Sequence, residues 1–430
     1  MIIVFYVIFI ITLSYTVLKK RKFDFFSIAV FSAFIYFFPG FLGVVRSGTG
    51  EILTIDNRVY ICFITYLVML QGMMLIADKK ILKLGDKKIY SPIDYNDNLY
   101  SNSFENLSIL VFELIGLVMM IYTIAHYGLS TGSFNKMELL SKTNKVTEYF
   151  KYIALFTFTY SFIAKGQFIR ITRFLSLMLI GYTFLLGHRS FIVIGIIAIF
   201  MHYIGSVEPI SVGKIIKDHP WAFISIIVSA VFFLFIKGVF AALMSGQYEL
   251  VKSRLSSLEY YRNTFLESEA NTITLNLQNV VTSGTTYPIG QYFMGLFGLI
   301  PIFGDKILNF FEYKSFETAL NEQFNTQLSE GIGLGSTFLG EGYAIGNVIG
   351  VFFVLFLILI LILFNISKRN NTQSIFSYVF FSIMLTYLTF YIHRNSLFFL
   401  LITGRAYLYI WFMAFIMKEF FQQIISINKT

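Results

Sequence analysis

Long apolar runs alternate with short charged breaks along almost the whole chain. A helix of ~20 apolar residues crosses the hydrocarbon of a bilayer. Eleven runs approach that length: Met1–Leu18, Phe25–Val45, Tyr60–Ala77, Leu107–His126, Tyr149–Ala164, Phe174–Gly187, Phe191–Gly205, Trp221–Leu243, Tyr343–Phe364, Ile375–Ile392 and Leu397–Met417. They predict an all-α polytopic integral membrane protein of about 11 transmembrane helices, within a range of 10–12. No basic stretch precedes the first run and no small-residue cleavage site follows it, so it reads as a retained span rather than a cleaved signal. The chain shows no internal repeat.

One interval breaks the rhythm. About ninety residues separate Met244 from Gly335 and carry 9 acids against 5 bases. Loops longer than ~15 residues that merely connect helices are uncommon. Val251, Leu255, Leu258, Arg262 and Phe265 recur at helical spacing, which predicts one helix whose apolar stripe is interrupted by Arg262. Glu269 falls on the same face seven residues later. The following stretch, YPIGQYFMGLFGLIPIFGD, is apolar but fenced by Pro288 and Pro301. It is too short to span and suits a re-entrant or interfacial helix. The expected organisation is a single transmembrane domain over residues 1–430, capped by the outer loop 244–335.

Composition narrows the function classes. Of 430 residues, 56% are hydrophobic and 13% charged, against about 25% charged in a soluble domain. A soluble enzyme and a nucleic-acid-binding protein are excluded. The net charge of +9 has a plainer source, because loops left in the cytoplasm accumulate Lys and Arg. With the N-terminus outside, the inner segments hold 18 of the 33 cations and the outer segments 14. The predicted topology is N-terminus out and C-terminus in the cytoplasm. The single cysteine, Cys62, lies in an apolar run, so neither a disulfide nor a Cys-based metal site is expected.

Ionisable groups at membrane depth are costly and are functional candidates by default. Lys237, Glu113 and Arg405 lie within predicted spans. Glu113 reads either as a helix–helix hydrogen-bond partner or as a functional acid, and Lys237 either as a snorkelling anchor or as an anion ligand. Arg262 reads as a contact to lipid phosphate, as a partner of Glu269, or as a guanidinium gripping a phosphate through two parallel hydrogen bonds. Arg254 can assist it. Arg189, Arg394 and Arg405 stand at the outer ends of spans, as interfacial anchors or as parts of an anion site.

No loop clusters the acids, histidines or cysteines that hold a divalent ion, and the DxD-like pair Asp94 and Asp97 lies on the inner side. No phosphate-binding glycine motif is present. The remaining chemistry is a metal-free and cofactor-free reaction on a phosphate-bearing substrate, with arginines stabilising a leaving group. Glu341, Glu267, Glu269 or His393 can supply a base. Gly342, Gly346 and Gly350 recur every fourth residue, which predicts close packing of their span on a neighbouring helix.

Four segments in order resemble the Wzy-type O-antigen polymerase family of oligosaccharide repeat-unit polymerases: GHRS opening a span, SRLSSLEYYRNTFLESEAN, YPIGQYFMGLFGLIPIFGD, and GLGSTFLGEGYAIGNVIG leading into an apolar helix. The dominant outer loop before the last three spans matches as well. The resemblance covers about Gly181 to Phe364. It implies a GT-C-like, inverting, metal-independent glycosyltransferase of the bacterial inner membrane, acting in polysaccharide or lipopolysaccharide biosynthesis with its site on the periplasmic face. Its substrates would be undecaprenyl-diphosphate-linked oligosaccharides, and a chain-length regulator would be a partner. Arg262 and Arg189, with Arg254, Arg394, Lys237 and Arg405, would bind diphosphate or substrate. Glu341, then Glu269, or His393 would take the proton from the attacking sugar hydroxyl, and Tyr260, Tyr261 and Tyr287 would stack on sugar faces.

Two rivals share parts of this plan. An O-antigen ligase is expected to place a histidine in the long loop, but the five histidines are His126, His188, His202, His219 and His393, all outside it. A lipid-linked oligosaccharide flippase would have evenly short loops and repeated halves.

Overall fold

The computed structural model describes residues 1–17, 23–47, 49–78, 103–127, 145–186, 188–206, 246–266, 268–300, 303–323, 337–372 and 374–427, with isolated positions between 211 and 242. Lys237, Glu267, Asp94, Asp97 and nearly all of the Trp221–Leu243 run lie outside the described residues, as do the side chains of Arg189 and Arg262.

About 85% of the structure is helical, and the chain is a membrane-embedded α-helical protein. Among the described residues four helices are long and apolar enough to cross a membrane: Asn57–Asp78, Phe104–His126, Phe338–Asn371 and Leu397–Ile424. Shorter apolar helices accompany them. Large apolar side chains such as Leu114, Val118 and Ile121 on one helix and Phe352 and Phe356 on another are exposed, as faces turned to lipid require.

In chain order the elements are α1 (Ile2–Val17), α2 (Phe25–Tyr36), α3 (Phe38–Leu42), β1 (Val44–Arg46), β2 (Ile52–Thr54), α4 (Asn57–Asp78), α5 (Ser103–Tyr127), α6 (Lys145–Ile163), α7 (Ile169–Leu185) and α8 (Arg189–Ser206). The loop contributes α9 (Tyr248–Ser256), α10 (Leu258–Leu266), α11 (Glu269–Ser283), α12 (Ile289–Met294), a 3-10 turn (Gly295–Leu299), α13 (Gly304–Phe310) and α14 (Phe316–Gln323). The chain closes with α15 (Phe338–Asn371), α16 (Ile375–Thr389), a 3-10 turn (Tyr391–Arg394) and α17 (Leu397–Ile427).

Helix α16 is the centre of the bundle. Twelve of its 15 residues are buried, and it packs against α2, α6, α8, α15 and α17. Polar contacts sort the helix ends into two groups. At one end Glu105 of α5 accepts from Ser374 and pairs with Lys418 of α17 at 3.2 Å. There too Arg369 of α15 donates to Ser382 and Tyr378 of α16, and His202 of α8 lies 3.3 Å from the Tyr378 hydroxyl. The long loop covers the other end, hereafter the loop end.

Several sequence expectations are corrected in detail. The Phe25–Val45 run is not one span. Asp24 and Ser27 cap α2 reciprocally, but Pro39 lacks the N–H needed to continue a helix, and Gly43 at φ 72° turns the chain into β1. β1 and β2 form an antiparallel hairpin that pairs Val45 with Leu53, a small β element in a fold expected to be all-α. The loop stripe is not one helix either. Ser257 is extended and caps α10 through its hydroxyl, leaving Leu255 and Leu258 exposed.

The glycine triad does not pack its span on a neighbour. Helix α15 is broken at Gly346 and at Asn347, whose φ is 54°, a left-handed value costly for a residue with a side chain. The two segments meet at Gly342 and Gly350. A Cβ on Gly350 would fall 2.1 Å from the Gly342 carbonyl oxygen. The break frees the Ala344 carbonyl, which accepts from the Tyr287 backbone N–H at 2.9 Å.

Candidate functional site beneath the long loop

Glu341 lies on the short first segment of α15, which Thr337 caps by accepting from Gly340 N–H. Its side chain is 1% exposed. Oε2 accepts from Leu397 N–H at 3.1 Å, and Leu397 is the first residue of α17. The first N–H groups of a helix have no partner within it and form its positive pole, so the carboxylate caps α17. Tyr287, Tyr292 and Tyr313 all lie within electrostatic reach of Glu341. The Tyr292 hydroxyl is buried without a hydrogen-bond partner among the described residues.

His393, in the turn between α16 and α17, is 1% exposed. Its ring stacks parallel on Tyr36 at 5.8 Å and meets Phe37, Tyr66 and Phe338 edge-on. Phe338 is one turn before Glu341, so the same helical face carries both. Ser32 of α2 fixes the tautomer. Its hydroxyl donates to Phe390 O at 2.7 Å, leaving Oγ to accept from His393 Nδ1, 2.9 Å away. The Phe390 carbonyl, 3.3 Å from Nδ1, likewise requires a proton there. Nε2 therefore carries the lone pair, buried and without a partner among the described residues.

Arg394 and Glu269 form an ion pair, Nε to Oε1 at 2.5 Å, each side chain about a third exposed. Glu269 thus pairs across the chain, from the first turn of a new helix that Ser268 caps. Burial works against the Arg394 charge, but the pull of Tyr391, Glu269 and Tyr36 outweighs it and holds the guanidinium above its ordinary pKa. The Tyr391 ring lies 5.4 Å from the same guanidinium.

Helix α11 holds this assembly to the hairpin with two amides one heptad apart. Asn271 accepts from Arg46 N–H and donates to Arg46 O, both at 2.9 Å, as a neighbouring strand would. Gln278 donates to Thr54 O at 3.1 Å and accepts from Asp56 N–H at 3.3 Å. Arg46 also donates to Asn263 of α10 at 3.1 Å, which ties the helix carrying Arg262 to the hairpin. Beside it, the Arg58 guanidinium holds the Asp56 carboxyl below its usual range.

Of the predicted site residues, the structure brings Glu341, His393, Glu269 and Arg394 together at the loop end. Arg262 lies on α10 beside Asn263, and Arg254 is half-buried on α9 with an interaction of its own. Arg189 begins α8 at the loop end, since the far end of that helix carries His202 to the opposite one. Arg405 is engaged elsewhere: Nη1 donates to Gly298 O at 2.6 Å and to Asp305 at 3.1 Å. Of the proposed stacking tyrosines, Tyr287 is buried with its hydroxyl donating to Lys314 O, and Tyr261 donates to Leu255 O.

Sequence reasoning missed Ser32, Tyr36, Tyr292, Asn271 and Gln278. The seven-residue spacing of the two amides on α11 was a legible sign. Ser32 and Tyr36 sit inside an apolar run, where nothing local marks them. Among the described residues no three His, Cys, Asp or Glu side chains gather as metal ligands.

No family model, no curated protein and no solved structure matches the chain.

Proposed function

We propose that the protein is an oligosaccharide repeat-unit polymerase of the bacterial inner membrane, with about 11 spans, its N-terminus outside and its site on the periplasmic face. The observation that carries this reading is the convergence, beneath the long loop, of Glu341, His393 and the Glu269–Arg394 pair. Beside them stands the helix that bears Arg262. These groups supply an acceptor for a proton and cations for a phosphorylated leaving group.

In the proposed reaction, a hydroxyl at the non-reducing end of one undecaprenyl-diphosphate-linked unit attacks the anomeric carbon of the growing glycan on another. The bond from that carbon to the diphosphate oxygen breaks, and undecaprenyl diphosphate leaves with the electron pair. The hydroxyl proton passes to a base, with Glu341 first, Glu269 second and His393 as the alternative. Arg262 and Arg189, with Arg254 and Arg394, neutralise the departing diphosphate. A fork of parallel N–H donors suits that task better than a point charge.

Deleting the gene in its host tests the reading. The expected result is loss of the long-chain polysaccharide ladder while a single repeat unit still reaches its final acceptor. Loss of that single unit too would point to the ligase or, as the main rival, to the flippase. One observation favours that rival: Glu113, in the middle of α5, is fully buried with neither carboxylate oxygen partnered among the described residues. Intramembrane acids of this kind, together with broken helices such as α15, also occur in transporters. Arg262→Ala should abolish polymer while the protein still inserts, and Arg262→Lys should restore little.

A further inference from the structure

Between Tyr287 and Gly304 the loop carries no charged residue, yet it is not folded away. Tyr292, Gly295 and Gly298 are buried, whereas Ile289, Phe293, Leu296, Phe297, Ile300 and Phe303 are each more than a third exposed. Contiguous apolar patches on this scale are rare where a surface faces water.

The depth of the segment follows from its contacts with α17. A Cβ on Gly295 would touch Phe398, and one on Gly298 would lie 3.6 Å from Ile402. The Gly298 carbonyl accepts from Arg405. Phe398, Ile402 and Arg405 follow one another down a single face of α17, covering about 10 Å at 1.5 Å per residue. Arg405 is the one charged residue of α17 between Leu397 and Met417, paired with the exposed Asp305, and Lys418 beyond that stretch pairs with Glu105 at the opposite end. That stretch is about 31 Å long, which matches the ~30 Å hydrocarbon core. The segment therefore lies alongside the first turns of a spanning helix, not on top of it. Its exposed face also continues a lipid-facing one. Phe293 packs edge-on against Phe353 of α15 at 6.1 Å, and Ile349, Phe352 and Phe356 on that helix are exposed.

We propose that residues 288–300 are embedded in the loop-end leaflet, with lipid acyl chains covering their exposed face. The Arg405 contacts to Gly298 and Asp305 close the segment where charge returns to the chain. Tyr292 on its inner side packs edge-on against Phe398 at 4.6 Å, one residue from the Leu397 N–H that the Glu341 carboxylate accepts, so this segment lies between the buried carboxylate and the bilayer. The inference stands whether or not the protein is a polymerase.

Cys62 is the sole cysteine and is buried, so a nitroxide can be placed selectively on an introduced one. Phe297→Cys and Leu296→Cys, each labelled and reconstituted in phosphatidylcholine–phosphatidylglycerol vesicles, would be compared with Phe356→Cys on α15 and Ser253→Cys on α9. The expected result is preferential relaxation by oxygen over a water-soluble nickel chelate at 296, 297 and 356, and the reverse at 253. Preferential relaxation by the nickel chelate at 296 and 297 would place the segment in water and overturn the proposal. Protection from both reagents would mean that protein, such as a second copy of the chain, covers the face, and would overturn it equally.

Discussion

Glu341 has two separable duties, and two substitutions divide them. As an acceptor it satisfies the Leu397 N–H at the start of α17, and as a carboxylate it is the first candidate base. Glu341→Gln keeps an oxygen for the N–H, so the purified variant should unfold within about 1 kcal/mol of the parent but form no polymer. Glu341→Ala leaves a buried N–H unpaired and should cost on the order of 1–3 kcal/mol, visible as a lower thermal midpoint in detergent. A fully active Gln variant would remove Glu341 from the chemistry and leave it as a cap. The Glu269–Arg394 pair, each side chain about a third exposed, should contribute no more than about 1 kcal/mol. Arg394→Ala should therefore change stability little and polymer length strongly, and a variant that polymerises normally would make the pair structural. At this scale the sequence was legible for identity and not for partnership. Charge at the span ends flagged Glu341, Arg394 and Arg405, but the Glu269–Arg394 contact joins residues 125 positions apart and leaves no local trace.

At the scale of elements, most helices were written in the apolar periodicity. Phe191–Gly205 became α8 over Arg189–Ser206, and Leu397–Met417 became α17 with an overhang to Ile427. The failures fall where one residue overrides a run: Pro39 and Gly43 end the second span early, and Ser257 splits the loop helix. The glycine triad shows why spacing alone misleads, because the same four-residue period serves an interhelical contact and a helix folded on itself. Gly350→Ala should test which one operates here. With a Cβ 2.1 Å from the Gly342 carbonyl, the break must open, so the variant should lose thermal stability and polymer together. A neutral outcome would contradict the fold-back. The hairpin clamp makes a parallel claim. Asn271→Ala removes both side-chain bonds to Arg46 and should expose the 44–54 hairpin to protease, with Gln278→Ala acting in the same direction.

For the whole molecule, composition alone required a membrane, and the structure supplies the sorting of helix ends that places the long loop, α11, the α15 break and the α16–α17 turn at one end. The architecture gathers a buried carboxylate, a tautomer-fixed imidazole and an ion pair beneath that loop, between helices whose outer faces are apolar. We propose that this assembly joins sugars rather than moving them. The direct measurement is to reconstitute the purified protein in vesicles with a single undecaprenyl-diphosphate-linked repeat unit and resolve the products by size. A polymerase should yield a ladder of multiples of that unit with release of undecaprenyl diphosphate, both abolished by Arg262→Ala. Transfer of the unit across the bilayer at unchanged length would contradict the proposal.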